Sequence, residues 1–313
     1  GATWLAVALV EEGAVLREAG IAAPVLLLSE PTVAAVPHLV ALDLTPTVYS
    51  APFVAALDAA GRERGRPVAV HAMLDTGMAR VGAPPAAWPA QLDARADEPS
   101  GPTTGLQLDR RGDGRGAGAA RGLAPTLLHV ANTAGTLAHA DAVRAAGARL
   151  PGAAPLVRVG IGVYGLDPGG EVRAAEHGLE PALRIVSAVS FAKRIAAGTP
   201  VSYGHRWSAP ADGWLATVPI GYADGVPRAL GGRGDALVGG RRCPVAGTVT
   251  MDQLLLWCGD AEPTVGDEVV LLGAQGDERI GMEEWADAAG TITYEVATGL
   301  GPRLPRVAVA AEG

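Results

Sequence analysis

Lysine is all but missing from this chain of 313 residues: lysine and arginine together number 25, and only Lys193 is a lysine. Any chemistry that needs a side-chain amine therefore uses Lys193 or is absent. Cysteine is nearly as scarce. Cys243 and Cys258 make neither a disulfide framework nor a zinc spacing, which fits a reducing cytoplasm. There is no basic excess, since the net charge is −8 and the pI about 5.3, so neither nucleic acid nor an anionic membrane is expected as a partner. Apolar runs such as Val25–Leu28 are too short to span a bilayer. Aromatic residues make up 4%.

What is abundant is alanine, glycine and short apolar stretches. Leu5–Leu9, Val25–Ser29, Thr45–Tyr49, Pro67–Leu74, Thr126–Ala131 and Leu156–Tyr164 read as buried strands. Helical patterns at Glu11–Ala19, Pro52–Arg64 and Thr136–Ala146 separate some of them. Continuous apolar strands alternating with helices predict a parallel α/β sheet. An eight-unit barrel needs ~250 residues, and only about 170 precede a change of character, enough for about six strands. Since the sequence starts at Gly1, the expectation is a barrel lacking its first units. Residues 84–122 hold prolines, glycines and arginines with neither a helical nor a strand period. Beyond Leu179 the pattern becomes all-β, with strands expected at Ile185–Ala192, Leu215–Ile220, Ala236–Val238, Val245–Thr250, Leu254–Cys258 and Glu268–Leu272. One helix, Met282–Ala289, follows. The division expected is an α/β domain over 1–178 and a mostly β domain over 179–313.

Four clusters place polar groups beside glycines at strand ends. In Asp75-Thr76-Gly77-Met78-Ala79-Arg80, the arginine is either a bidentate carboxylate ligand or an ordinary loop residue. In His129-Val130-Ala131-Asn132-Thr133, Thr133 is either a phosphate ligand or a plain helix cap. Arg158 interrupts an apolar strand in Val157-Arg158-Val159-Gly160-Ile161-Gly162, which requires a ligand or a structural ion pair. The fourth cluster spreads over Ser202-Tyr203-Gly204, Gly221-Tyr222-Ala223-Asp224, Met251-Asp252-Gln253 and Thr293-Tyr294-Glu295. Three of the five tyrosines fall in it, as site residues or as core.

In this order the clusters resemble the alanine racemase family, whose members pair a pyridoxal-phosphate barrel with a C-terminal β domain. Leu5-Ala6-Val7-Ala8, Val201-Ser202-Tyr203-Gly204, Ile220 to Gly225 and Thr291-Ile292-Thr293-Tyr294-Glu295 extend the match over nearly the whole chain. The resemblance implies a cytoplasmic homodimer that interconverts L- and D-alanine for peptidoglycan, with pyridoxal 5'-phosphate as cofactor. It implies Tyr203 as the proton acceptor on one face of the substrate, working in the partner's barrel. Arg80, Met251 (through its N–H) and Tyr222 would contact substrate or close the entrance. Arg158 would face the pyridine nitrogen, and Thr133, Gly160, Ile161 and Tyr294 would hold the phosphate.

The sequence also departs from the family pattern. No stretch matches the motif Val-x-Lys-Ala-x-Ala-Tyr-Gly-His-Gly, whose lysine attaches the cofactor and acts as the second base. Lys193 reads as a surface lysine of the β domain. Met73 stands where many members have a further lysine. No histidine lies between His71 and His129, and only Ala96-Asp97-Glu98 remains of the motif that normally follows it. The expectation for the chain as it stands is negligible racemisation. Two other readings are a non-catalytic relative that keeps the dimerising β module and a decarboxylase of basic amino acids with the same two-domain plan.

Overall fold

The structure is a computed structural model that describes residues 2–75, 78–83, 104–109, 124–148 and 154–309. Two compact units divide the chain, residues 1–160 and 161–313. Ala96-Asp97-Glu98 and most of the 84–122 stretch lie outside the described residues.

The first unit is a seven-stranded sheet in sequential order: β1 (Leu5–Val7), β2 (Val25–Leu27), β3 (Thr45–Val48), β4 (Val70–Leu74), β5 (Thr104–Asp109), β6 (Ala124–Val130) and β7 (Ala154–Val157). Neighbours β1 to β4 pair in parallel, as do β6 and β7. β5 runs antiparallel to both β4 and β6. It falls in the stretch where no strand was expected. A parallel strand needs a crossover, usually a helix, on each side.

The helices are α1 (Val10–Glu18), α2 (Val36–Ala41), α3 (Ala51–Glu63), α4 (Thr133–Ala138) and α5 (Ala140–Ala148). Ser50 caps α3, its hydroxyl accepting from the Phe53 N–H, with Pro52 in the first turn. The single helix expected over 136–146 is divided at His139 into α4 and α5. Val25, Leu27, Leu39, Phe53 and Leu57, all at most 3% exposed, form the apolar centre between helices and sheet.

In the second unit every strand pairing is antiparallel. Its strands are β8 (Ile185–Ala188), β9 (Phe191–Ile195), β10 (Pro200–Val201), β11 (Trp207–Ser208), β12 (Gly213–Val218), β13 (Asp235–Val238), β14 (Arg241–Pro244), β15 (Leu254–Gly259), β16 (Glu268–Gln275) and β17 (Glu278–Ile280). Helices α6 (Met282–Ala289) and α7 (Thr293–Gly299) follow. Three expected strands differ. Ile185–Ala192 is two strands, because the chain changes sheets: the Val189 N–H donates to Asp267 O, and the next N–H, of Ser190, to Thr217 O. Val245–Thr250 is no strand, since Gly247 turns the chain at φ +79° and Val245 keeps only an isolated bridge to Leu256. Leu156–Tyr164 is a strand only as far as Val157. Beyond Gly160, Ile161–Tyr164 winds into a 3-10 turn that Gly165 ends at φ +67°. The core gathers Val218, Leu237, Leu256, Leu271, Ile280 and Trp285, and includes both cysteines, which are free. Among the described residues no helix is long and apolar enough to cross a membrane.

Candidate functional site

Because β4, β6 and β7 run in the same direction, their C-terminal ends share one edge of the sheet. Parallel α/β folds form their sites at that edge. Arg80, Thr133, Arg158 and Gly160 all follow one of these ends. The loop after β4 is closed by two backbone bonds, Asp75 N–H to Ala83 O and Ala83 N–H to Met73 O, and it leaves Arg80 exposed.

Beneath this edge lie two buried histidines, His71 on β4 and His129 on β6. Arg158 Nη1 donates to His129 Nδ1 at 2.8 Å and to the His129 carbonyl at 3.2 Å. A guanidinium cannot accept, so Nδ1 must be the acceptor and His129 carries its proton on Nε2. That nitrogen lies 2.8 Å from His71 Nδ1, to which it donates. The Trp4 ring tilts against His71 with centroids 5.2 Å apart. Burial, then the neighbouring His71 and the charge of Arg158, push the His129 pKa down to about 3. Burial, with Arg80 nearby, pushes Arg158 down to about 10, still leaving it a cation and a donor at neutral pH. Two guanidinium groups within each other's field favour an anionic or electron-rich ligand. Met73, also on β4, is buried and adds no charge.

Thr133 is not the cap of α4. Asn132 is, its side-chain oxygen accepting from the Gly135 N–H at 3.0 Å. Thr133 Oγ1 instead accepts from the Gly160 N–H at 3.2 Å, so the residues after β6 and β7 are joined. Above Gly160 there is open space: a Cβ added there would meet nothing within 4 Å.

In the second unit, Tyr203, Tyr222 and Met251 converge on a cavity of about 510 Å³, with Arg228, Thr250 and Asp252 in its wall. Tyr203 is 76% exposed and stands on a knuckle with left-handed backbone at Ser202 (φ +63°), Gly204 and His205 (φ +46°). For serine and histidine this conformation is costly and must be held in place. Thr248 holds it, accepting from Ser202 Oγ at 2.7 Å and donating from its own Oγ1 to Tyr203 O at 3.0 Å. The Tyr222 and Met251 segments interlock. The Tyr222 N–H donates to Thr250 O and the Ala223 N–H to Met251 O, each at 3.0 Å. Ile161 and Tyr294 do not line this cavity. Ile161 is buried in the apolar cluster of this unit and Tyr294 packs against that cluster. Lys193 is exposed on β9.

The sequence reading passed over His71 and assigned no role to His129. The available signal was a histidine at a normally apolar strand position in each of two strands, which is costly unless the rings find partners.

Comparison with known proteins agrees with this organisation. Residues 1–168 match the family model for the alanine racemase N-terminal domain, and residues 182–308 that for the C-terminal domain. The chain is 38% identical to an alanine racemase of Frankia casuarinae and 40% identical to one of Symbiobacterium thermophilum. Each match covers 98% of this chain and 83% of the relative. Among solved structures, alanine racemase from D-cycloserine-producing Streptomyces lavendulae superposes with a TM-score of 0.79 at 30% identity, covering 99% of this chain and 84% of that one. The Bacillus anthracis alanine racemase with bound L-Ala-P gives a TM-score of 0.74 at 31% identity, covering 100% of this chain and 83% of that one. The fold is accordingly a (β/α)8-type barrel, represented by seven described strands, followed by a mostly β C-terminal domain. The chain belongs to the alanine racemase family of amino-acid racemases.

Proposed function

We propose that this chain carries most of the machinery of a pyridoxal-phosphate alanine racemase, but not the residue that attaches the cofactor. The observation that carries the reading is the convergence of Tyr203, Tyr222 and Met251, remote in sequence, on one polar cavity in a chain that matches both family domains. Pyridoxal 5'-phosphate, when bound, supplies an electron sink that makes the α-proton of an amino acid acidic. The groups at the sheet edge fit it: the Thr133 hydroxyl beside open space at Gly160 suits a phosphate, and the Arg158 guanidinium suits a ring nitrogen. The Ile161 backbone and the Tyr294 side chain are proposed as further phosphate ligands. No residue fits the attachment, since Lys193 lies exposed on β9.

Racemisation removes a proton from one face of Cα and returns one to the other, so it needs two bases. Tyr203, exposed on its strained knuckle, would serve one face from a partner subunit. Arg158 stays protonated through the neutral range and would therefore donate a hydrogen bond to the ring nitrogen without giving up its proton. Arg80 would contact the substrate and the cofactor's phenolic oxygen; the Met251 N–H and Tyr222 would hold the substrate carboxylate and close the entrance. We keep the domain boundary expected from the sequence, 178/179, which lies in the interval between the two family matches, although the compact units divide at 160/161. Homodimerisation, a cytoplasmic location and a role in D-alanine supply to peptidoglycan belong to this reading.

The test uses this chain fused behind a lysine-bearing N-terminal segment of a relative. Tyr203→Phe in that fusion is expected to stop L-to-D conversion while deuterium from solvent still enters Cα of one enantiomer. Undiminished racemisation by the Phe variant would refute the role of Tyr203.

A further inference from the structure

Asp224 is a carboxylate only 5% exposed, next to the cavity but not in its wall. Its Oδ2 accepts from the Gly221 N–H at 2.8 Å, and its backbone carbonyl accepts from the Gly301 N–H at 3.0 Å. Its Oδ1 faces Arg303 Nε at 3.1 Å. The same guanidinium reaches Asp252 Oδ1 with Nη1 at 2.8 Å. One side chain, arriving on the segment after α7, thus pairs with an acid on the Tyr222 loop and with an acid on the Met251 loop. The three segments approach very closely. A Cβ on Gly225 would lie 2.4 Å from Gly299 O, and one on Gly221 would lie 2.3 Å from Thr250 O. The Asp252 carboxylate first, then Asp224, holds the Arg303 pKa above its ordinary value.

Charge sharpens the point. Asp252 lies in the cavity wall beside Met251, whose N–H is read above as a carboxylate ligand. A fixed negative charge at that distance repels a second carboxylate unless a cation cancels it. Asp224 and Asp252 contribute two negative charges at this corner, and Arg303 and Arg228 two positive ones. Without Arg303 the corner is left net negative.

We propose that Arg303 is a positioning residue and counter-ion for this cavity, locking the Tyr222 and Met251 loops together and cancelling the Asp252 charge so that a substrate carboxylate can sit at the Met251 N–H. The locking half stands on the geometry alone, whereas the carboxylate half rests on the proposed function.

The two halves separate in one experiment on the 313-residue chain. The sequence has four methionines, so labelling their methyl groups with ¹³C gives a sparse spectrum. Met251 reports on the site, and Met282, buried in α6, reports on the fold. Propionate, a carboxylate without an amine, is the probe. In Arg303→Gln the Met251 methyl is expected to move or broaden with Met282 in place, and propionate to bind about tenfold more weakly than to the parent. Arg303→Gln/Asp252→Asn, which removes the uncancelled charge, is expected to regain most of that loss; a purely structural role gives no such rescue. Should Arg303→Gln unfold, as Met282 would show, Arg303→Lys takes its place, keeping the charge but spanning only one carboxylate, with an intermediate loss expected. A variant with an unmoved Met251 resonance and parental propionate affinity overturns the proposal. A parent that ignores propionate, with Met251 still displaced by Arg303→Gln, refutes the carboxylate reading of Met251 and leaves the locking role standing.

Discussion

His129 shows how burial converts a titratable side chain into a fixed hydrogen-bond relay. Held between Arg158 and His71, it stays neutral in the folded chain, with its pKa near 3 instead of the usual 6.5. The unfolded chain therefore binds a proton that the folded one refuses as pH falls below about 6.5. Stability is fully present above that pH and declines towards pH 3, at up to ~1.4 kcal/mol per pH unit for this one group. Between pH 7 and pH 5 the loss is about 2 kcal/mol. His129→Gln, which cannot titrate, is expected to flatten the fall in melting temperature over that interval; a slope unchanged from the parent would mean that His129 is already protonated in the fold. This role was only half legible. The sequence marked Arg158 as an arginine in an apolar strand that needed a partner, but the partner is twenty-nine residues earlier on a strand whose register no local pattern reveals.

At the scale of elements, apolar periodicity located most strands and the helix at 282–289, because each buries a continuous side against a single neighbour. It failed where the tertiary environment decides. β5 carries its pairing through a polar, glycine-rich stretch, and the corner at Val189–Ser190 shows only in the switch of hydrogen-bond partners between sheets. The interlocked loops of the second unit were equally invisible as geometry, although their glycines were noted. Gly221 is needed for close approach and not for backbone freedom, since its φ of −151° suits any residue. Gly221→Ala places a methyl group against two backbone carbonyls that have no room to move. It is expected to cost about 2–3 kcal/mol, read as a lower midpoint in urea unfolding. A midpoint equal to the parent's would show that the two loops part easily.

At the scale of the molecule, the ordered succession of motifs is the strongest signal in the sequence and points to the family without any geometry. What order could not reveal is how the site is wired. The His71–His129–Arg158 relay and the Arg303 clasp connect segments that are each unremarkable when read alone. The proposed function rests on one division of labour: this chain would supply phosphate ligands, a ring-nitrogen donor and the Tyr203 base, while its one lysine, Lys193, is exposed on β9. The most direct measurement is racemisation of L-alanine with added pyridoxal phosphate by the 313-residue chain alone, beside the same chain fused to a lysine-bearing N-terminal segment. The account requires negligible D-alanine from the first and sustained turnover from the second. A fusion that binds pyridoxal phosphate yet forms no D-alanine, or an unfused chain whose activity disappears on Lys193→Ala, would contradict it.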